Sequence, residues 1–371
     1  MAISAIGIIF SNLHEENVPE LVRKRTMASI LFGGRYRLVD FALSNMVNSD
    51  IMTVGLMASN NYRSLIDHIG SGKDWDLARK DGGLILLPPF SDREDHSYST
   101  RMEALVSLRG FLRKRSEKYV VLADTDGIAK MNFKDVIKFH EKKNSDITLV
   151  THVHEIERTK DFMLVNANED GRVTEVKIAP HVAPKTTAEV FVNTMVLNRQ
   201  FLLNLVEDAV VHGYTSFDND IILKQLNSLK IYRYEFKGYY ASIDSMASYF
   251  KHNMNLLKKE IRDELFADRD VYTKVRDSAP SKYGVEAIVH NSLISDGCEI
   301  DGTVENCILF RGVKIAKGAV VRNSIIMQDS VIGANASLNC VIADKNVVIT
   351  DRRQLCGCED LPYFIQKGTM L

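Results

Sequence analysis

The sequence predicts two structural regimes in one chain: an α/β domain built on a mostly parallel sheet, then a parallel β-helix of hexapeptide repeats. Three observations carry this. Short apolar runs alternate with amphipathic segments up to about Ser245. Helix patterning stops near residue 288. From there to about 350, aliphatic or small residues recur every six positions.

In the first regime, "AIGIIF" ending at Phe10 reads as a strand. "MTVGLMA" (52–58) is a second, followed by the helix-like "NNYRSLIDHIG". "YVVLAD" (119–124) is a third, preceded by the helix-like "RMEALVSLRGFLRKRSEK". "SDITLVTHV" (145–153) is a fourth, preceded by "FKDVIKFHEKKN". Apolar runs separated by helices imply parallel strands covered on both faces. Ligands in such sheets sit beyond the carboxyl ends of the strands, so the turns after Phe10, Ala58 and Leu122 should line one cleft.

The second regime follows the helical stretch "SMASYFKHNMNLLKKEIRDELF" and the linker-like "DSAPSKYG" (277–284). Val313, Ala319, Ile325 and Val331 share one phase, and Ile326 and Ile332 another. The steps Ile294 to Ile300, Ile315 to Val321 and Val341 to Val347 repeat it. An antiparallel hairpin set would show period two without period six. The expected boundaries are 1–245, 246–284 and 285–371. Stacked coils leave an open end and exposed edges, so association with another chain is expected.

Composition excludes several classes. The chain has 371 residues, 45% hydrophobic and 26% charged, with net charge −1. That balance gives no electrostatic footprint for nucleic acid or a membrane surface. No apolar run reaches the ~18 residues of a membrane span, and the opening "MAISAIGIIF" lacks a basic leader. The five cysteines, Cys298, Cys307, Cys340, Cys356 and Cys358, read as buried free thiols in a reducing cytoplasm. Asp124 and Asp126 form D-x-D at a strand's end, which suits hard Mg²⁺ or an Asx-capped turn. His152 and His154 alternate on a strand with no third ligand nearby, and read as structural.

At "FGGRYRLVDFALSN" (32–45) and "WDLARKDGGLILLPP" (75–89) the chain resembles bacterial ADP-glucose pyrophosphorylase, the glucose-1-phosphate adenylyltransferase family of glycogen synthesis. The resemblance covers nearly the whole chain. It implies a Rossmann-like nucleotidyltransferase domain, a linker helix and a left-handed β-helix. It further implies a cytoplasmic protein that joins ATP and glucose 1-phosphate with release of pyrophosphate, using Mg²⁺.

Four departures resemble the GlgD-type subunit, which in some bacteria partners a catalytic GlgC-type chain in a heterotetramer. The family's G-G-x-G-T-R-L phosphate loop is replaced by "SNLHEEN" after Phe10, and Met27 stands at a family lysine. Glu15 and Glu16 about 4–6 Å from phosphates would repel them. The family's G-D-H aspartate falls on Asp126, with Thr125 and Gly127 as neighbours and Asp124 added. The lysine of E-K-P falls on Ala179, with Lys177 two residues earlier on the expected same strand face. The second metal aspartate falls on Ser242, with Asp244 shifted by two. Phosphoryl-type transfer is almost all positioning and charge neutralisation. If each loss costs about 2–4 kcal/mol, the four exceed about 8 kcal/mol, or about six orders of magnitude in rate.

Other positions carry expectations. Gly33 and Gly34 belong to the family's sugar-nucleotide motif. Arg35 and Arg37 stand near the family's effector sites and suit an anion, or else make surface ion pairs. Tyr98 stands at the aromatic of W-Y-x-G-T-A, where Thr100 and Arg101 replace glycine and threonine. Trp75 reads as a packing anchor. The expectation is a regulatory subunit working with a catalytic homologue, or with copies of itself. The alternatives are an active pyrophosphorylase using Asp124, Asp126, Asp244 and Lys177, and a hexapeptide-repeat acyltransferase, for which His290 is the only histidine after 252.

Overall fold

The computed structural model describes residues 4–88, 98–156, 162–183 and 185–371. The opening residues Met1, Ala2 and Ile3, and Pro89 and Ser97 of the quoted motifs, lie outside them. The chain divides into two compact units. One comprises Met1–Leu13, Thr26–Ala28 and Phe41–Tyr240, and the other His14–Arg25, Ser29–Asp40 and Ala241–Leu371.

The first unit is built on a nine-stranded sheet. Ala5–Phe10 lies between Thr53–Met57 and Tyr119–Asp124, parallel to both, and Thr53–Met57 is parallel to Gly83–Leu87. These strands read as unbroken apolar runs because helices cover both faces. Thr186–Asn198 is antiparallel to Tyr119–Asp124 and to Ile147–Ile156. Ile231–Glu235 runs parallel to Ile147–Ile156 and completes that edge. The register sets Phe10 level with Met57 and with Asp124, and Met57 level with Leu87. The carboxyl ends of four parallel strands therefore stand in one row.

The helices are punctuated as their sequences dictate. Asn132 caps Phe133–Lys143 through its side chain, and Asn144 ends it in the left-handed conformation. Asn198 caps Arg199–His212 at one end, and Gly213 (φ 69°) closes the other. The run beginning at Arg101 is two helices, Arg101–Ser107 and Arg109–Arg113, not one. Trp75 is buried, with its ring 5.8 Å from that of His68.

In the second unit, residues 282–365 form three five-stranded parallel sheets. The coils stack in register: Ile300, Ile315, Ile332 and Ile349 on one sheet, Val304, Val321, Leu338 and Leu355 on the next. Most of these side chains point into one apolar core. This is the repeat architecture that the six-residue step predicts. The corners need positive φ, and Asn, Asp and Gly supply it. Asn291, Asn306 and Asn323 form one such column, with φ of 42°, 50° and 45°. Their amides bond to one another and on to Asn339, a ladder along the stack.

Two expectations change. Cys298, Cys307 and Cys340 are buried free thiols, but Cys356 and Cys358 are exposed, because Cys356 ends the strand Gln354–Cys356 facing outward and Cys358 lies in the loop after it. The stretch from Ser245 to Phe266 is two helices, Met246–Asn255 and Lys259–Phe266, interrupted where Leu256, Leu257 and Lys258 leave the helical hydrogen-bond pattern.

Candidate functional site

The row of strand ends carries a cluster of buried charged side chains in the first unit. Tyr119–Asp124 is buried along its whole length and finishes on Asp124. Thr125 then donates its Oγ1 hydrogen to the Phe10 carbonyl at 3.2 Å, tying the two strand ends together. Asp126 follows, and both carboxylates are buried. Gly127 cannot carry a side chain, because a Cβ there would lie 2.8 Å from the Tyr240 ring.

Arg101 meets these acids. Thr100 caps the helix Arg101–Ser107 in a reciprocal capping box with Glu103. The cap sets Arg101 at the first helical position. Its Nη2 donates to Asp124 Oδ2 at 2.7 Å, and its Nη1 to Asp218 Oδ1 at 3.0 Å. The Arg101 and Asp124 side chains are 5% and 1% exposed, so this is a desolvated pair. Burial alone would push the guanidinium pKa down. The charges of Asp124 and Asp218, with a smaller contribution from Asp126, reverse that and raise it.

Asn193 links Asp126 to the same network. Its Nδ2 donates to Asp126 Oδ2 at 2.8 Å, and its Oδ1 accepts from Arg101 Nη2 at 3.4 Å. The strand Thr186–Asn198 shifts register between Phe191 and Met195, and Asn193 sits there at φ 54°. Bulges of this kind re-aim side chains beside functional sites, and asparagine tolerates the left-handed conformation.

Asp124 and Asp126 bring ligand oxygens within 4.8 Å of each other, close enough for one ion, but with Arg101 and Asn193 competing for them the pair is a poor fit for Mg²⁺. Mg²⁺ requires about six oxygens at about 2.0–2.1 Å and keeps much of its water. Asp124 Oδ2 already accepts a guanidinium, and Asp126 Oδ2 an amide. The cavity next to Asp124, lined by Asn45, Ala123, Val192, Thr194 and Tyr240 among others, measures about 20 Å³. A cavity of about 760 Å³ lies elsewhere in the unit, along the Phe133–Lys143 helix, and shares neither Asp124 nor Asp126. Its Lys143 and Arg233 are already paired with Asp170 and Glu235.

The turn after Phe10 is held by its own side chains. Asn12 Oδ1 accepts from the Ser59 amide at 2.8 Å, and its Nδ2 donates to the Asn60 carbonyl at 3.1 Å. Tyr98 is buried in the main apolar core. Lys177 lies in the strand Val173–Ile178, half-exposed and 3.3 Å from Glu175. Ala179 falls after that strand at φ 47°, so the alternation that would align it with Lys177 has ended.

The other expected residues lie in the second unit. Gly33 and Gly34 (φ 60° and 85°) make the turn between the short strands Leu31–Phe32 and Tyr36–Arg37. A Cβ on either would strike Leu256 or Ser295 at 2.7 Å, so both serve close packing. Asp244 accepts from Ser245 Oγ at 3.1 Å, and its N–H donates to Ser248 Oγ, beside the cap of Met246–Asn255. Arg35 is exposed over the Tyr36 ring. Arg37 is buried, with its N–H bonded to Asp40 at 3.0 Å. Burial, then the charges of Arg37 and Arg25, push the Lys345 pKa down to about 7. A basic cluster thus gathers around Arg37, while Arg35 instead influences Arg311. Arg101, Asn193, Arg25 and Lys345 escape sequence reasoning. Only Arg101 leaves a signal there, as an arginine where the family has threonine.

Comparison with known proteins agrees with this architecture. Residues 19–259 match the nucleotidyl transferase family, and residues 278–360 match the GlmU-like C-terminal hexapeptide family. The glycogen biosynthesis protein GlgD of Geobacillus stearothermophilus is 38% identical, over 98% of this chain and 96% of its own length. GlgD of Bacillus subtilis is 32% identical over the same shares. The glucose-1-phosphate adenylyltransferase of Acetivibrio thermocellus is 31% identical over 96% of this chain and 84% of its own. No helix among the described residues is long and apolar enough to cross a membrane. With a family match over most of its length and relatives that span it almost end to end, this chain belongs to the nucleotidyl transferase family, in the group of GlgD and glucose-1-phosphate adenylyltransferase proteins of glycogen biosynthesis.

Proposed function

We propose that this chain is a regulatory subunit of a cytoplasmic glucose-1-phosphate adenylyltransferase. By itself it has little activity. It assembles with a catalytic homologue, expected as a hetero-tetramer, and alters that partner's turnover of ATP and glucose 1-phosphate to ADP-glucose and pyrophosphate. Such coupling needs only contacts that differ between two states of the partner.

The observation that carries this reading is the turn after Phe10. A phosphate cradle needs backbone amides free to face the ligand. Here the turn has no glycine, and Asn12 bridges it to Ser59 and Asn60 instead. Exposed apolar side chains on the first coils of the β-helix, Tyr283, Val285 and Ile288, support association with another chain. The test measures pyrophosphate release by purified chain alone and mixed with a catalytic homologue. The expected result is near-background release alone and a changed rate in the mixture. Turnover by the isolated chain close to that of the homologue would overturn the reading.

A second feature favours regulation. Arg25, Arg37, Lys345 and Lys367 concentrate positive charge in one unit, which suits an anionic effector. The active-enzyme alternative would call on Asp124 and Lys177, which are engaged with Arg101 and Glu175. The acyltransferase alternative would call on His290, which is exposed on the outer strand Ile288–His290.

A further inference from the structure

We propose that Arg101 is a resident cation that stands in for a divalent metal ion, so that the strand-end carboxylates are organised around a guanidinium and take no metal. By chemistry alone, two aspartates at the end of a parallel strand suit a hard divalent cation. Two buried carboxylates also cannot stay charged without positive partners. This chain answers that need from within.

The geometry is built for the guanidinium. One Nη serves Asp124 at 2.7 Å and the other serves Asp218 at 3.0 Å. Asp126 is joined through Asn193, whose amide turns its N–H₂ to the carboxylate at 2.8 Å and its oxygen to Arg101 at 3.4 Å. That bridge exists because the bulged strand holds Asn193 at φ 54°. The Phe191 ring lies 5.8 Å from the guanidinium carbon, an arrangement favourable to a flat cation. The planar fork binds carboxylates directionally, which a hydrated ammonium does not. Helix cap, bulge and ring thus converge on one side chain. The consequence is a nucleotidyl-transferase unit whose strand-end acids are organised around an internal cation from the moment it folds, at any metal concentration.

The inference rests on family membership but not on the subunit role, since it concerns the isolated chain and metal alone. The test titrates the full chain with Mn²⁺ and follows the free ion by its EPR signal. Wild type should show no site that Asp126→Asn removes. Arg101→Met should gain one Mn²⁺ site, at least tenfold tighter than any residual wild-type binding, and Asp126→Asn should abolish it again. A saturable wild-type site that disappears in Asp126→Asn would overturn the proposal. So would a folded Arg101→Met chain that gains no site. If Arg101→Met fails to fold, the comparison of wild type with Asp126→Asn decides alone. Pyrophosphate release in the mixture with a homologue is a separate readout, so failure of either idea leaves the other standing.

Discussion

Arg25 and Asp344 lie 319 positions apart in sequence and form a two-pronged ion pair, with Nη2 at 2.7 and 2.6 Å from the two carboxylate oxygens. Their side chains are 4% and 5% exposed. The backbone N–H of Lys345 donates to the same carboxylate at 2.7 Å. A short segment near the N-terminus is thereby locked to the third sheet of the β-helix within one unit. The pair also places a negative charge inside the basic cluster of Arg25, Arg37 and Lys345.

Asp344→Asn should therefore do two things. Leaving the buried guanidinium without its counter-charge costs about 3–5 kcal/mol of stability. Phosphate or sulfate should then recover part of the loss, because the cluster has lost its internal anion. Thermal unfolding with and without 10–100 mM phosphate, as an order-of-magnitude range well above typical weak anion affinities, checks both. An equal phosphate effect on wild type and variant would show that Asp344 does not shield the cluster.

Lys345 would give any anion binding at this cluster a pH dependence. Burial, then Arg37 and Arg25, lower its pKa from 10.5 to about 7. The unfolded chain holds this proton up to about 10.5, so between about 7 and 10.5 it binds more protons than the folded chain, and stability rises with pH there. A bound anion favours the protonated amine and reverses the bias. Affinity for sulfate, whose own charge stays fixed in this range, should fall several-fold as pH rises through about 7, and Lys345→Met should remove that slope. Calorimetric titration in two buffers of different ionisation enthalpy would register the linked proton uptake.

His140 works in the opposite window. Its ring is buried against Tyr119 and bonded through Nδ1 to Thr148 Oγ1 at 2.8 Å. Burial lowers its pKa from 6.5 to about 4. Between those values the unfolded chain takes a proton that the folded chain refuses, so stability falls as pH drops from about 6.5 to 4. The loss approaches about 3 kcal/mol. His140→Gln should flatten this part of the curve of urea midpoint against pH. An unchanged slope would assign the acid lability to other groups.

The asparagine ladder separates backbone from side-chain effects. Asn323 donates to Asn339 at 2.9 Å and accepts from Asn306 at 3.3 Å, at φ 45°. Asn323→Ala loses both bonds and strains a left-handed position, costing about 2–3 kcal/mol. Asn323→Gly relieves the backbone but not the bonds and should cost about half as much. Denaturant midpoints of the two variants test this, and equal losses would mean that backbone strain contributes nothing.

Much of this was legible in the residues. The alternation of apolar runs with helices announced the parallel sheet, and the six-residue step announced the coils. The absence of glycine after Phe10 was legible too, and the structure adds that Asn12 ties this turn to Ser59 and Asn60. These are local patterns, and a period of two, 3.6 or six is written in consecutive side chains. What the tertiary structure alone decided is which charges meet. Arg101 reaches Asp124 across 23 positions and Asp218 across 117, and Asn193 joins them only through a bulge in its strand. Lys177 and Ala179 looked like neighbours on one face until the strand ended between them. Ion pairs between distant segments leave no periodic trace, because their partners are chosen by the path of the folded backbone and by the cost of burying a charge alone.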